Sequence, residues 1–388
     1  MNDNLPTLIL RHLADGRADE RAFVSAARRH IERLADPAER GDRNLVRAAE
    51  AELRRNPNAF SFDDRGVATL TSGGRSWSAG RFSSPSIGEL RDAARARGGT
   101  GRVRLWVLDG ASPATDVAAM QAFAGEHTLF QVASQFNCLE APGPFVVPVS
   151  NYFDDPTQGP RAAISCFPAA LLRHHAAPDG RGGRFEQSAD GRQIDLLADA
   201  VGSGAVQHGY LDGRNIDGAV LERRLRENFD SIRIGLHEEA EVALGHAWFG
   251  GVRRDASDCG PIVTQVLTST LAGGGYGGDR LGPRFAPCSR LLLRAAYLGT
   301  LLSAAAVGCR QVVLTLIGGG VFANPREAIA EAIVRAVDDV SELGCGIEVF
   351  VNGYSLDPDT AKTLTHAARR SGGLLVRMQH NVVMEIDH

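Results

Sequence analysis

QVVLTLIGGGVFANPREAIAEAI, residues 311–333, holds a complete strand–turn–helix unit. Gln311–Ile317 is apolar without alternation, the pattern of a strand covered on both faces. Gly318-Gly319-Gly320 follows at once, and glycine admits positive φ and close approach of a ligand to the backbone. Helical spacing then runs over Pro325–Leu343, with Asn324 placed as the cap and Pro325 in the first turn. The exposed N–H groups of such a turn, with the helix dipole, favour a phosphate. In an open α/β sheet the turn falls beyond the carboxyl end of its strand, where ligands bind. The wording is neither G-x-G-x-x-G nor G-x-x-x-x-G-K-[ST], which excludes the dinucleotide and P-loop fingerprints.

Outward from this unit the alternation repeats. Strands are expected at Val103–Leu108, Thr128–Ala133, Ser231–Leu236, Glu241–Leu244, Ile262–Thr268, Ile347–Val351 and Leu374–Met378. Helices are expected at Asp116–Phe123, Gly159–His174, Gln193–Val201, Gly218–Asn228, Cys288–Val307 and Asp359–Arg370. Apolar strands between amphipathic helices predict a three-layer α/β/α arrangement around a mostly parallel sheet. Residues 1–57 read as helical, first through Phe23, Ala26, Ala27, Ile31 and Leu34, then through Leu45, Ala48, Ala49 and Leu53. Residues 59–82 read as a β-hairpin or meander, and Ser86 caps a short helix through Ala96. The basic joint RARGGTGR places a boundary near residue 100, between an N-terminal, mainly helical region (1–100) and an α/β domain (101–388).

Composition narrows the function classes. The formal net charge is −4, so no bulk positive field is available to hold nucleic acid. The start of the chain lacks a basic stretch followed by a long apolar core, which argues against a signal peptide. No apolar run reaches the ~18 residues of a membrane span, and Leu291–Val307, the most apolar stretch, reads as a buried helix. The six cysteines form no C-x-x-C pair. Reduced thiols in a cytoplasmic protein are expected, with neither a zinc ribbon nor a disulfide scaffold.

Three further segments carry polar chemistry. Thr128–Glu140, TLFQVASQFNCLE, is a strand ending in Gln135 and Asn137. Asn151–Ala163, NYFDDPTQGPRAA, offers Asp155, Thr157, Gln158 and Gly159 ahead of Pro160 at a helix start, a second helix end suited to an anion or a ribose. Along Ile232, Ile234 and Leu236 the alternation puts His237, Glu239 and Glu241 on one face. Asp255 and Asp258 follow in a glycine-rich loop, and Gln265 lies inside the next strand. A histidine among carboxylates is more often a salt-bridged cluster than a metal site, so no metal is expected.

The turn Gly-Gly-Gly-Val-Phe-Ala-Asn-Pro resembles the second ligand loop of macrodomains. The strand end Ala133-Ser-Gln-Phe-Asn137 resembles their first loop. The ordered pieces FQVASQFN, YFDDPTQGP, HEEAEV, VTQV and LTLIGGGVF resemble the branch with bacterial effector enzymes that remove ADP-ribose from arginine, including arginine on ubiquitin. The resemblance covers roughly residues 103–388. It implies a macrodomain-like mixed sheet, ADP-ribose or an ADP-ribosylated protein as partner, and no cofactor. It implies that Gly318, Gly319, Gly320, Val321 and Phe322 wrap the diphosphate, with Asn324 opening the helix, and that Asn137 contacts the distal ribose. Gln135, Asp155, Thr157, Gln158, Gly159 and Gln265 complete the expected ligand set.

In that branch acidic side chains carry catalysis. Glu239 and Glu241, with Asp258 and Asp255, are the expected catalytic carboxylates, one orienting the guanidinium and another acting as general base or acid. The expected activity is hydrolysis of the N-glycosidic bond of mono-ADP-ribosylated arginine. The alternatives are a non-catalytic ADP-ribose reader and a hydrolase of another ADP-ribose derivative. An NAD-dependent oxidoreductase is disfavoured by the missing Rossmann fingerprint.

Overall fold

The computed structural model describes residues 39–387 apart from 111–114, 123, 179–182, 188–190, 245, 248–249, 252–258, 354 and 380–381. Helix α1 (Glu39–Arg55) leads into a meander of β1 (Phe60–Phe62), β2 (Ala68–Ser72) and β3 (Arg75–Ser83). Helix α2 (Ile87–Arg97) begins with the expected Ser86 cap, completed as a capping box by Glu89. Then come β4 (Val103–Asp109), α3 (Val117–Ala122), β5 (Thr128–Ala133), α4 (Gln158–Ser165) and α5 (Phe167–His175). The chain continues through α6 (Ala198–Val201), α7 (Gly218–Glu227), β6 (Gly235–Glu241) and β7 (Ile262–Thr268). It ends with α8 (Phe285–Val307), β8 (Gln311–Thr315), α9 (Arg326–Ser341), β9 (Ile347–Gly353), α10 (Pro358–Ser371), β10 (Leu375–Gln379) and β11 (Val382–Asp387).

These strands form one eleven-stranded mixed sheet in the order β1-β2-β3-β6-β7-β5-β8-β9-β4-β10-β11. The run from β7 to β10 is parallel, and both flanks are antiparallel. The central strands are buried almost end to end, as a sheet covered on both faces requires. One face carries α2, α7, α8, α9 and α10, packed on one another; the other carries α1, α3, α4 and α5. The sheet is therefore the middle of three layers. Helix α8 is long and apolar enough to cross a bilayer by composition, but most of its side chains are buried against α2, α9 and the sheet. All six cysteines are unpaired thiols, with only Cys259 exposed.

Residues 60–97 are continuous with this sheet. β3 pairs with β6 at Phe82↔His237, and α2 packs on α8. The helix expected through Phe23 and Ile31 lies outside the described residues; the one through Leu45 and Leu53 is α1.

Elsewhere the structure corrects the sequence expectation. The helix expected over Gly159–His174 is two helices broken at Cys166, because Pro168 just beyond it has no N–H to continue the ladder. Only Ala198–Val201 of the helix expected over Gln193–Val201 forms. The Leu196 amide bonds Phe136 O and the Leu196 carbonyl accepts from Arg233 N, so neither enters a helical ladder. The two strands expected at 231–236 and 241–244 are the single strand β6. The pair Gly235–Glu241 and Ile262–Thr268 has a bulge between His237 and Ala240.

One bond ties the apolar layer to the glycine turn. The Tyr297 hydroxyl of α8, wholly buried, donates to Thr315 O at 2.7 Å and accepts from Ile317 N at 3.0 Å. Removing it strands two buried backbone groups. Tyr297→Phe is expected to cost about 1–3 kcal/mol in denaturant unfolding; an unchanged midpoint would show the turn is held without it.

Candidate active site

A cavity of about 820 Å³ opens beyond the carboxyl ends of the parallel strands, within the range of small-molecule sites. Its wall takes Ala133 from the end of β5, Thr315 from β8, Asn352 from β9, and Thr115 and Asp116 after β4. These strands are successive neighbours, so at ~4.8 Å per strand the floor spans roughly 14 Å, the scale of an extended nucleotide sugar.

Two backbone arrays face this space. The first is the glycine turn, Gly318 to Phe322. Gly318 has φ of 75°, and a Cβ there would lie 2.4 Å from Thr270 Oγ1 and 2.6 Å from Asn324 Nδ2, so only glycine fits. A Cβ on Gly320 would meet nothing within 4 Å. The amides of Gly319, Ala323 and Asn324 close the turn internally on Leu316 O, Gly320 O and Gly318 O. Those of Gly320, Val321 and Phe322 find no acceptor among the described residues. The second array is the start of α4, whose first amides have no intrahelical partner and whose cap Thr157 makes no side-chain cap bond. Gly159 is required there, because a Cβ would lie 2.4 Å from Ala133 O and about 3 Å from both Glu140 carboxyl oxygens.

Glu140 is the chemically distinctive residue of the cavity. Its side chain is 5% exposed, and its Oε1 is buried without a hydrogen-bond partner. Burial, and then the charge of Asp155, push its carboxyl well above the ordinary value, against the opposing pull of Arg173. Both effects favour its protonated, neutral form. Its backbone is pinned by a chain of bonds: Glu140 N donates to the Tyr152 hydroxyl at 2.8 Å, which bonds His174 Nε2 at 2.8 Å. Burial drives His174 down to about 3, so the neutral ring accepts that hydroxyl proton. Two residues earlier Arg173 Nε holds Cys138 O at 3.1 Å, where Cys138 turns through φ of 63°.

Asp155 stands on the same side, its Oδ1 accepting from Thr157 N at 2.8 Å and Thr157 Oγ1 at 2.6 Å. Asp154 lines the wall as well. Arg326, at the first position of α9 beside the glycine turn, is the single basic side chain among the lining residues. Of the four carboxyls lining the wall, Glu140, Asp154 and Asp155 lie between β5 and α4 and Asp116 follows β4, while Arg326 and the glycine turn lie where β8 leads into α9. Over the mouth, Tyr210, Tyr276 and Phe322 pack mutually, with ring centroids 5.5–5.9 Å apart.

Of the expected ligand residues, the cavity brings together Gln135, Asp155, Thr157, Gln158, Gly159, Gly318, Gly319, Gly320, Val321 and Phe322. Asn324 points inward, its amide on Leu271 O at 2.9 Å and Gly318 O at 3.2 Å, with its oxygen taken by Ser289. Asn324 therefore braces the turn, while Pro325 occupies the cap position without capping. Asn137 is engaged by Gln193 and the Leu139 amide, and Gln265 lies in the core on Gln121 and Ala162 O; neither lines the cavity.

The expected carboxylate pair is also elsewhere. The bulge puts Glu239 at φ of 56° and breaks the alternation on which a shared face depended. Glu239 forks onto Arg65 at 3.1 and 3.2 Å, and Glu241 accepts from Ser78 N at 2.8 Å and Gly260 N at 3.0 Å. His237 is buried between Arg173 and Ala79 O. Asp255 and Asp258 lie outside the described residues. No group of three or more metal-ligating side chains occurs among the described residues.

Sequence reasoning passed over Glu140, Asp116, Tyr210, Tyr276 and Arg326. Glu140 could have been found as the only acid in the segment just beyond β5, and Tyr276 as the lone aromatic in the glycine run 273–278.

No protein-family model and no curated protein matches the chain. Among solved structures it is similar to poly(ADP-ribose) glycohydrolase from Thermomonospora curvata, at 15% identity over 86% of this chain and 100% of that one, with a TM-score of 0.43. It is also similar to poly(ADP-ribose) glycohydrolase from Deinococcus radiodurans in complex with ADP-ribose, at 18% identity over 75% of this chain and 93% of that one, with a TM-score of 0.39. At these values the functional reading rests on the cavity's own geometry.

The raised Glu140 carboxyl makes stability depend on pH. Above its ordinary value of 4.5 the unfolded chain has lost a proton that the folded protein retains, so stability falls as pH rises through that window. Glu140→Gln removes the loss. Its melting temperature relative to wild type should be higher at pH 7 than at pH 4 by roughly 2 °C or more; a constant difference across the range would mean that Glu140 is ionised in the fold.

Proposed function

We propose that the cavity binds ADP-ribose and that the protein hydrolyses a glycosidic bond at the distal ribose, with ADP-ribosylated arginine as the preferred substrate. The observation that supports this is a single one: unpaired amides of a glycine turn share one cavity of about 820 Å³ with a buried carboxyl whose protonated form is favoured by burial. The amides of Gly320 to Phe322 and the start of α4 take the diphosphate, and Arg326 adds positive charge. The distal ribose then lies toward Glu140 and Asp155.

Glu140 is the proposed general acid. The bond from the anomeric carbon to the guanidinium nitrogen breaks with its electron pair leaving on nitrogen, and Glu140 supplies the proton to that nitrogen. Water adds to the anomeric carbon, and its proton returns to the Glu140 carboxylate. Asp155 and Asp154 are placed to attract the departing guanidinium, which favours arginine over a neutral leaving group. Catalysis is thus proposed for Glu140, in place of Glu239 and Glu241. The modified partner is a protein carrying arginine, ubiquitin among the candidates, acted on in the cytoplasm.

The test is a titration with ADP-ribose followed by a release assay on three substrates: an ADP-ribosylated arginine protein, poly(ADP-ribose) and O-acetyl-ADP-ribose. The solved poly(ADP-ribose) glycohydrolases make the second arm necessary. Release from the arginine protein is expected, and Glu140→Gln should slow it by about 10²–10⁴-fold while still binding ADP-ribose. Binding without release from any substrate would leave a reader, and full turnover by Glu140→Gln would remove Glu140 from the chemistry.

A further inference from the structure

Helix α1 forms no part of the cavity wall, yet it is tied to that wall at two points. Glu50, 4% exposed, accepts from Val149 N at 3.1 Å and from Ser150 Oγ at 3.3 Å, with His175 Nε2 at 3.7 Å. Two helical turns earlier on the same face, Arg43 reaches Asp154 at 2.6 Å and covers the Phe153 ring at 5.4 Å. All of these contacts but the one to His175 land on the 3₁₀ turn Val149–Asp154, which gives Asn151 and Asp154 to the cavity and runs straight into Asp155.

This turn cannot place itself. It is six residues long, starts after Pro148 and has no side-chain cap of its own. The first amides of such a turn need an outside acceptor when buried. Glu50 supplies it from another element. Burial raises the Glu50 carboxyl, but the His175 contact and the Val149 N–H outweigh burial and hold it below its ordinary value, so it stays an ionised acceptor. Glu52, on the same helix, points elsewhere: it accepts from Gly73 N at 3.3 Å and from Ser72 Oγ, in the β2–β3 turn.

We infer that Glu50 and Arg43 are positioning residues for ADP-ribose hydrolysis, holding the 149–155 wall in register with the glycine turn. The inference rests on the cavity being the ADP-ribose site. It also assigns a role to α1, which braces the cavity wall from behind.

The experiment compares Glu50→Ala, Glu50→Gln and Glu52→Ala in the full chain, reading ADP-ribose affinity by calorimetry and amide hydrogen exchange over residues 149–155. Glu50→Ala should weaken ADP-ribose by roughly tenfold or more and speed exchange across the turn by a similar factor of roughly ten. Glu50→Gln keeps an acceptor oxygen and should stay within about threefold of wild type. Glu52→Ala should lower the melting temperature while leaving affinity and exchange at 149–155 unchanged. Equal losses of affinity in Glu50→Ala and Glu52→Ala would reduce the contact to general stability and overturn the inference, as would unchanged exchange in Glu50→Ala. A wild-type protein that fails to bind ADP-ribose would remove the proposed function, and the exchange arm would still decide whether Glu50 holds the turn.

Discussion

Backbone amides that the protein cannot satisfy internally are the constraint around which this structure is arranged. An N–H that reaches solvent needs no internal acceptor, and the turn at 318–322, where Gly320 and Val321 are exposed and Phe322 is half-buried, leaves three amides without one among the described residues. The surroundings fix everything else about the turn. Asn324 bonds its carbonyls from inside, Tyr297 pins its entry, and Gly273 N takes Phe322 O at 3.0 Å. A turn so completely held cannot relax to bury its own donors. Its shape is set in advance, so in the proposed function little ordering is left to oppose binding of an anion.

The second consequence is electrostatic. In the proposed function the cavity takes a diphosphate and breaks a bond to a cationic group, which asks for opposite preferences close together. The glycine turn and Arg326 lie where β8 leads into α9, three of the four lining carboxyls lie between β5 and α4, and Asp116 follows β4. Gly159 brings the α4 start against the Glu140 carboxyl. Burial and Asp155 shift that carboxyl toward its protonated form, and in the proposed reaction that proton is the one donated. Arg173, buried below and held by Cys138 O and His237, opposes the shift.

Much of this could be read from local wording. The apolar strands, the glycine turn, the Asp155–Gly159 loop and the buried character of α8 follow from periodicity and from residues with narrow conformational roles, and those rules act within a few positions. What could not be read depends on distant partners. Glu239 and Glu241 look paired only while β6 is assumed regular; the bulge between His237 and Ala240 packs against Gly80, where a Cβ would lie 2.3 Å from Glu238 O. Asn324, beyond a strand, and Gln265, within one, look like ligand groups, but here their partners include Leu271, Gln121 and Ala162, far off in the chain. Glu140 has one local signature, as the only acid in the segment just beyond β5, and that says nothing of its surroundings. Its chemistry comes from Tyr152, Asp155, Gly159 and Arg173, assembled by tertiary contact.

A crystal of the protein soaked with ADP-ribose tests the central claim most directly, through the position of the two phosphates. Phosphate oxygens should lie about 2.7–3.2 Å from the amide nitrogens of Gly320, Val321 or Phe322, with the distal ribose turned toward Glu140. Phosphates seated outside the cavity, or a ribose pointing away from Glu140 with those amides left to solvent, would contradict it.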